Sequence, residues 1–238
     1  MNRTELESTF DQQAATYDQQ WEKLAPFRDG ISLLTASIFG QLPHDARMLC
    51  VGAGTGAEIH FLAQRFPAWT FVAVEPSAGM VAAARLRAEQ HGYIDRCTFH
   101  IGYTESLPPC APFDCATSLL VSQFLLDEHE RTGFFQGIAS RLKPGGILVT
   151  SDLASDTASP AYASLLEVWL RTMAGAALSP ERVEQMRAAY ARDVAILPTS
   201  RVEAVIANGG FDAPVRFFQA GLIHGWYGKR LSGDERPD

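Results

Sequence analysis

The chain has 238 residues, 47% of them hydrophobic and 20% charged, with a formal net charge of −7. That length suits one domain with a decorated core, the composition is ordinary for a soluble globular protein, and the acidic balance disfavours nucleic acid and anionic membranes as partners. Met1-Asn2-Arg3-Thr4-Glu5 has no signal-peptide core behind it, no apolar run approaches the roughly 20 residues of a membrane span, and neither Cys50, Cys97, Cys110 and Cys115 nor the histidines show disulfide or metal-ligand spacing, so a cytoplasmic protein without a metal is expected.

From Glu5 to Phe39 the chain reads as helices, with apolar positions at Leu24, Phe27, Ile31, Leu34, Ile38 and Phe39. Met48 to Val51 is a short buried strand running into Gly52-Ala53-Gly54-Thr55-Gly56, and a helix follows with Ile59, Leu62, Ala63 and Phe66 on one face. Thr70 to Val74 is a second strand ending at Glu75-Pro76, and Ser77 caps a helix through Gln90. Cys97 to Ile101 and Phe113 to Val121 are the third and fourth strands. Asp127 starts a helix that stops at Lys143-Pro144-Gly145-Gly146, and Ile147 to Thr150 is the fifth strand. Continuous apolar strands separated by helices indicate a parallel sheet covered on both faces. Ala154 to Pro198 is helical, with Ser179-Pro180 as a helix start; Ser200-Arg201-Val202-Glu203 reads as a capping box, and Val215–Ala220 with Leu222–Tyr227 as a hairpin around Gly221. The expected organisation is a single domain: a helical arm over 1–44, a ligand-binding core over 45–153, a helical insert over 154–200, and a helix end plus hairpin over 201–238.

Glycines in a strand-to-helix turn let the backbone approach a ligand, and the helix start offers free N–H groups. With Ala57 the block also satisfies the dinucleotide fingerprint, and Glu75 at the end of the second strand suits ribose hydroxyls in either setting, so a dehydrogenase binding NAD(H) stays open on these residues alone. The larger set separates them: Met48 to Glu58, Val74-Glu75-Pro76-Ser77-Ala78-Gly79-Met80, Gly102 to Pro108, Phe113-Asp114, and Arg141-Leu142-Lys143-Pro144-Gly145-Gly146. Together, over about Phe10 to Leu153, these resemble the class I S-adenosylmethionine (SAM)-dependent methyltransferases of small-molecule type.

The resemblance implies a Rossmann-like, doubly wound, mostly parallel seven-stranded α/β sheet with an antiparallel C-terminal hairpin. It implies SAM as cofactor, with S-adenosylhomocysteine (SAH) as product, and in-line transfer of the sulfonium methyl to a small molecule. Gly52, Ala53 and Gly54 would pass beneath the methionine part, and Glu75 would bind the ribose. Pro76, Ser77 and Met80 would lie beside the adenine, with Tyr103 and Thr104 at its ring and amino group. Val121 and Ser122 would face the sulfonium, and Phe10-Asp11 and Tyr17-Asp18 resemble the arm that closes over the cofactor. For Met80 and Val121, core packing explains the residue equally well.

Two positions depart from the family. Cys50 stands where an acidic residue commonly helps hold the cofactor amino group, so the methionine end is held otherwise, the bound species differs, or binding is weak. Tyr103 stands where Asp is frequent, and its ring suits stacking on adenine. On the acceptor side the candidates are Gln123, Phe124 and Asp152 at strand ends, Tyr17 and Trp21 from the arm, and His224, for which a satisfied core histidine is the simpler reading. The insert is the expected acceptor lid, and a homodimer is compatible with the sequence. No catalytic residue is assigned, since SAM is already activated and a general base is needed only when the acceptor must lose a proton. Two further readings keep the fold: a SAM-modifying enzyme, because Gly210-Phe211-Asp212…Phe217-Phe218-Gln219 resembles carboxy-SAM synthase, and a SAM- or SAH-binding protein without turnover.

Overall fold

In the computed structural model, which describes residues 3–174 and 179–232, the first five strands are β1 (Arg47–Val51), β2 (Thr70–Glu75), β3 (Cys97–Ile101), β4 (Phe113–Leu119) and β5 (Leu142–Leu153). They pair in parallel, whereas β6 (Val215–Ala220) and β7 (Ile223–Lys229) form an antiparallel hairpin whose second strand also pairs antiparallel with β5. The strand order is β3-β2-β1-β4-β5-β7-β6. The order reverses between β1 and β4, which opens a crevice at the carboxyl ends of these strands.

Nine helices surround the sheet among the described residues: α1 (Arg3–Gln13), α2 (Tyr17–Trp21), α3 (Ala25–Ile38), α4 (Ala57–Arg65), α5 (Ala78–Gln90), α6 (Glu128–Arg141), α7 (Pro160–Ala174), α8 (Pro180–Asp193) and α9 (Thr199–Asn208). One face of the sheet buries Leu49, Val51 and Ala116 against Phe135 and Ile138 of α6 and Val205 and Ile206 of α9. The other buries Met48, Cys50 and Phe71 against Ile59 and Leu62 of α4. Each of the larger aliphatic and aromatic side chains among these contributes about 1.5–3 kcal/mol relative to exposure. A third cluster, with Leu24, Ile31, Leu153, Trp169 and Leu222, joins the arm to the insert at the end of β5. No helix among the described residues is long and apolar enough to cross a membrane.

Several boundaries differ from the sequence reading, each for a local reason. α3 buries Ile31, Ser32, Thr35 and Ala36, and leaves Leu34 exposed. Small side chains let it lie close to β6, where a Cβ on Gly30 would come within 3.3 Å of the Phe218 ring. β4 stops at Leu119 rather than Val121, because Leu120 adopts φ +58°. β5 reaches back to Leu142, since the glycine turn is held in the sheet by hydrogen bonds from Gly145 N to Arg230 O (3.0 Å) and from Arg230 N to Gly146 O (2.8 Å). The Ser200 capping box does not form: α9 begins at Thr199 after Pro198, and Glu203 instead accepts from the Trp226 indole N–H at 3.0 Å. The tail that resembles carboxy-SAM synthase is accounted for by packing. Phe211 is buried in the core, and Asp212 accepts from the Lys229 amide at 2.7 Å.

Candidate active site

β1 delivers the chain into a turn where Gly52, Gly54 and Gly56 have φ of +70°, +52° and +74°, conformations in which a side chain is strained. A Cβ on Gly52 would lie 2.4 Å from Val121 Cγ2, so the turn and the end of β4 are in close contact. A Cβ on Gly54 would meet nothing within 4 Å. The turn therefore faces free volume at its middle glycine. Glu75 locks its far wall: Oε2 accepts from Gly54 N at 2.9 Å and Oε1 from Ser77 N at 3.0 Å. Burial pushes the Glu75 carboxyl up, while the Ser77 and Gly54 amides pull it back down. Ser77 caps α5 as expected, its Oγ accepting from Met80 N at 3.1 Å. Met80 itself is buried in the core, and Pro76 is half-buried beside the turn.

The arm docks on this crevice through two carboxylates. Asp11 accepts from Ser77 Oγ (2.6 Å) and Gly79 N (2.9 Å), contacts that hold its carboxyl below the ordinary range. Asp18 accepts from Thr55 Oγ1 at 2.7 Å and pairs with Arg87. At the β3 end, Tyr103 donates to Glu7 at 2.8 Å, and the Arg3 guanidinium lies 4.4 Å from its ring centroid, so the arm covers the ring.

Behind the arm lies a cavity of about 270 Å³ walled by Phe10, Tyr17 and Trp21 of the arm, Leu120, Gln123 and Phe124 after β4, and Trp169, Tyr190 and Asp193 of the insert. Phe10 packs edge-on against both Tyr17 (6.3 Å) and Phe124 (5.6 Å), and Tyr17 leans on Trp21 at 5.7 Å. Burial pushes the Tyr17 phenol up, with the charge of Glu75 adding to it. Burial also raises Tyr190, against the pull of Trp169, while Arg192 keeps Asp193 low. No Lys or Arg occurs among the described lining residues.

Tyr17, Trp21, Gln123 and Phe124 thus come together around one cavity. Ser122, Asp152 and His224 do not join it. Ser122 and Asp152 were expected at the sulfonium and the acceptor, but both are 0% exposed. The Ser122 hydroxyl donates to Asp152 at 2.6 Å and Asp152 pairs with Arg131 at 3.0 Å, so they serve the frame. His224 stacks on Trp226 and borders a separate hollow of about 240 Å³ with Asp156 and Arg216. Burial lowers its pKa, and Nδ1–H donates to Leu222 O at 3.0 Å, in keeping with a satisfied core histidine.

Comparison with known proteins bears on this geometry directly. Residues 48–146 match the family model described as a methyltransferase domain. Over those residues the chain is similar to methyltransferases. It is 40% identical over 108 residues to the erythromycin 3''-O-methyltransferase of Saccharopolyspora erythraea, covering 44% of this chain and 34% of that protein. It is 38% identical over 112 residues to the ubiquinone biosynthesis O-methyltransferase of a Bradyrhizobium strain, covering 45% of this chain and 40% of that one. The chain therefore spans well under half the length of these curated relatives. An O-methyltransferase family protein from Burkholderia thailandensis superposes with a TM-score of 0.63 at 16% identity, over 98% of this chain and 61% of that chain, which shows the shared fold.

The site also contains functional groups that sequence reasoning missed. Arg131 on α6 is fully buried; besides pairing with Asp152 it donates to Ser122 Oγ (3.0 Å) and Ala195 O (3.1 Å). Asp152 accepts from Gln123 N (2.9 Å), and Gln123 Oε1 from Leu153 N (2.8 Å), so one network fixes the cavity floor and the end of the insert. An Arg in mid-helix carries no sequence signal for this. Leu120 is the one non-glycine residue with positive φ among the described residues, strain that sits where β4 meets the cavity. Several buried side-chain polar atoms lack a hydrogen-bond partner among the described residues, and Glu58 Oε2 and Thr104 Oγ1 are two of them. Glu58 bonds Thr117 beside β1, and Thr104 follows β3, so they flank the crevice from its two sides. Donors and acceptors left open at both ends, around a glycine turn that faces free volume, fit a nucleoside bearing a polar tail.

Proposed function

We propose that the chain binds SAM in the glycine crevice and transfers its methyl group to a small acceptor held in the aromatic cavity. The observation that carries this reading is adjacency. Val121 packs on Gly52 in the crevice, and the preceding residue, Leu120, lines the cavity. SAM, when bound, supplies an electrophilic methyl group that needs alignment rather than activation. In this reading Gly52, Ala53 and Gly54 support the methionine part, Glu75 takes the ribose hydroxyls, and Pro76, Ser77, Tyr103 and Thr104 border the adenine. Phe10, Tyr17, Trp21 and Phe124 exclude water and orient the acceptor, and the insert supplies the opposite wall through Trp169 and Tyr190.

The acceptor is small and largely aromatic or apolar, because aromatic faces dominate the described cavity wall. Asp193, held low by Arg192, is a weak base, and the tyrosines hold their protons. The acceptor therefore arrives as a ready nucleophile, such as an acidic phenol or a neutral amine, in preference to an aliphatic alcohol. The test is calorimetric titration of ligand-stripped protein with SAH, with NADH as control. Micromolar SAH binding that is lost in Glu75→Ala supports the reading; NADH binding without SAH binding overturns it. An acceptor screen graded by hydroxyl acidity then tests the second half.

A further inference from the structure

Four carboxylates surround the glycine turn, and three are already committed. Glu75 accepts from two backbone amides, Asp11 from Ser77 and Gly79, and Asp18 from Thr55 while paired with Arg87. Glu58 is different. Its Oε1 accepts from Thr117 Oγ1 at 2.7 Å, but its Oε2 is closed to solvent and has no partner among the described residues. A buried carboxylate oxygen left bare is costly, and a structure retains one where something else completes it.

The position of Glu58 says what completes it. It stands two residues past Gly56 in the first turn of α4, and helical side chains lean toward the helix N-terminus, here toward the glycine turn. Thr117 on β4 is the register partner of Cys50 on β1, so the carboxyl lies over the last residues of β1, just before the chain enters the turn. Glu58 is thus bonded to the strand neighbour of Cys50, and its carboxylate adds to the rise that burial imposes on the Cys50 thiol. A thiol cannot balance a cation, whereas a carboxylate beside it can.

We propose that Glu58 binds the ammonium group of an amino-acid-bearing ligand in the crevice, supplying from α4 the acid that Cys50 does not supply from β1. This inference rests on the cofactor reading above. The ammonium donates to Oε2 while Thr117 keeps Oε1 in place, and a carboxyl that burial raises to about 7 in the free protein ionises when the cation arrives. Among the described residues, the groups that bear on it are the Thr117 hydroxyl of β4 and the Cys50 thiol of β1, and the thiol stays protonated through this range.

The test uses two ligands that share a nucleoside and a thioether: SAH, which carries the amino-acid tail, and 5'-methylthioadenosine, which lacks it. Glu58→Gln is expected to weaken SAH by at least about tenfold and to leave methylthioadenosine within about twofold, as expected for loss of one charge-assisted hydrogen bond. Adding Cys50→Asp to Glu58→Gln is expected to restore SAH binding. Should the variants fold poorly, wild-type protein gives the same answer: near pH 7, SAH binding releases protons, seen as a dependence of binding heat on buffer ionisation enthalpy, and methylthioadenosine binding does not. Equal loss on both ligands, no loss on SAH, or no proton release with SAH would each overturn the assignment. Wild-type protein that binds methylthioadenosine normally while Glu58→Gln leaves SAH untouched sinks this inference alone. Wild-type protein that binds neither ligand sinks the cofactor reading and the inference with it.

Discussion

The two halves of the site are built on different principles. The crevice is made mostly of backbone: three left-handed glycines, amides of Gly54, Ser77 and Gly79, and one carboxylate that ties the turns together. The cavity is made of side chains from three separated stretches, the arm, the loop after β4 and the insert, aligned by a buried ion network rather than by any single motif. A backbone-defined site can be written in a few contiguous residues. A side-chain-defined one cannot, because its walls become neighbours only after the sheet has formed.

That contrast should appear most strongly in Arg131→Ala. Removing the cation strands Asp152 in the interior and is expected to cost about 3–5 kcal/mol, a fall of roughly 6–20 °C in thermal midpoint for a chain of this size. A midpoint unchanged by Arg131→Ala would show that the network does not frame the cavity. Glu75→Ala is the complementary cut: it should lower SAH affinity by about a hundredfold, from two charge-assisted hydrogen bonds lost, while the midpoint falls less than in Arg131→Ala. If Glu75→Ala melts the protein instead, the crevice depends on that carboxylate as much as the cavity depends on Arg131, and the distinction fails.

Trp21→Ala sharpens the boundary between the halves. An acceptor, once found, should lose about tenfold in KM through lost aromatic contact, and SAH affinity should stay within about twofold. Weakening of both would mean that the arm is one wall shared by crevice and cavity. The pH dependence of folding gives a smaller effect with a definite sign. Glu58 titrates at about 7 in the folded chain against an ordinary value of 4.5. Between those values the folded state binds the proton more tightly, so the stability it contributes is fully present below about pH 4.5 and is lost as pH rises through about 7. Wild-type midpoints should therefore drop from about pH 5 to pH 8 more than those of Glu58→Gln, measured by circular dichroism without ligand. The smallest effect belongs to Arg3→Ala, whose exposed contacts with Tyr103 and Glu105 should contribute under about 1 kcal/mol.

The same contrast explains what was legible in the sequence. The glycine turn, Glu75 and the Ser77 cap depend on local backbone chemistry, and each formed where its residues announced it. The parallel strands were legible as short apolar runs between helices and the terminal hairpin by alternation around Gly221, while their union in one seven-stranded sheet followed from the family resemblance. Asp152 was not, because its proximity to Arg131 is created by α6 packing across β5, and nothing in either stretch marks a buried pair. Ser200-Arg201-Val202-Glu203 misled because Pro198 had already set the start of α9, which left Glu203 free for an indole partner twenty-three residues away. On α3 the apolar pattern placed Ile31 correctly and misplaced Leu34, since close approach to β6 also buries the small side chains Ser32, Thr35 and Ala36.

The placement of β7 between β5 and β6 has a consequence for the order of assembly during synthesis. β1 to β5 are complete once Leu153 has left the ribosome, yet β5 then presents an unpaired, apolar edge next to the future cavity. That edge stays open while about 70 further residues emerge at about 5–20 residues per second, so it is exposed for several seconds at least. Every nascent chain passes through a stage with a sticky flank, and residues 223–229 close it last.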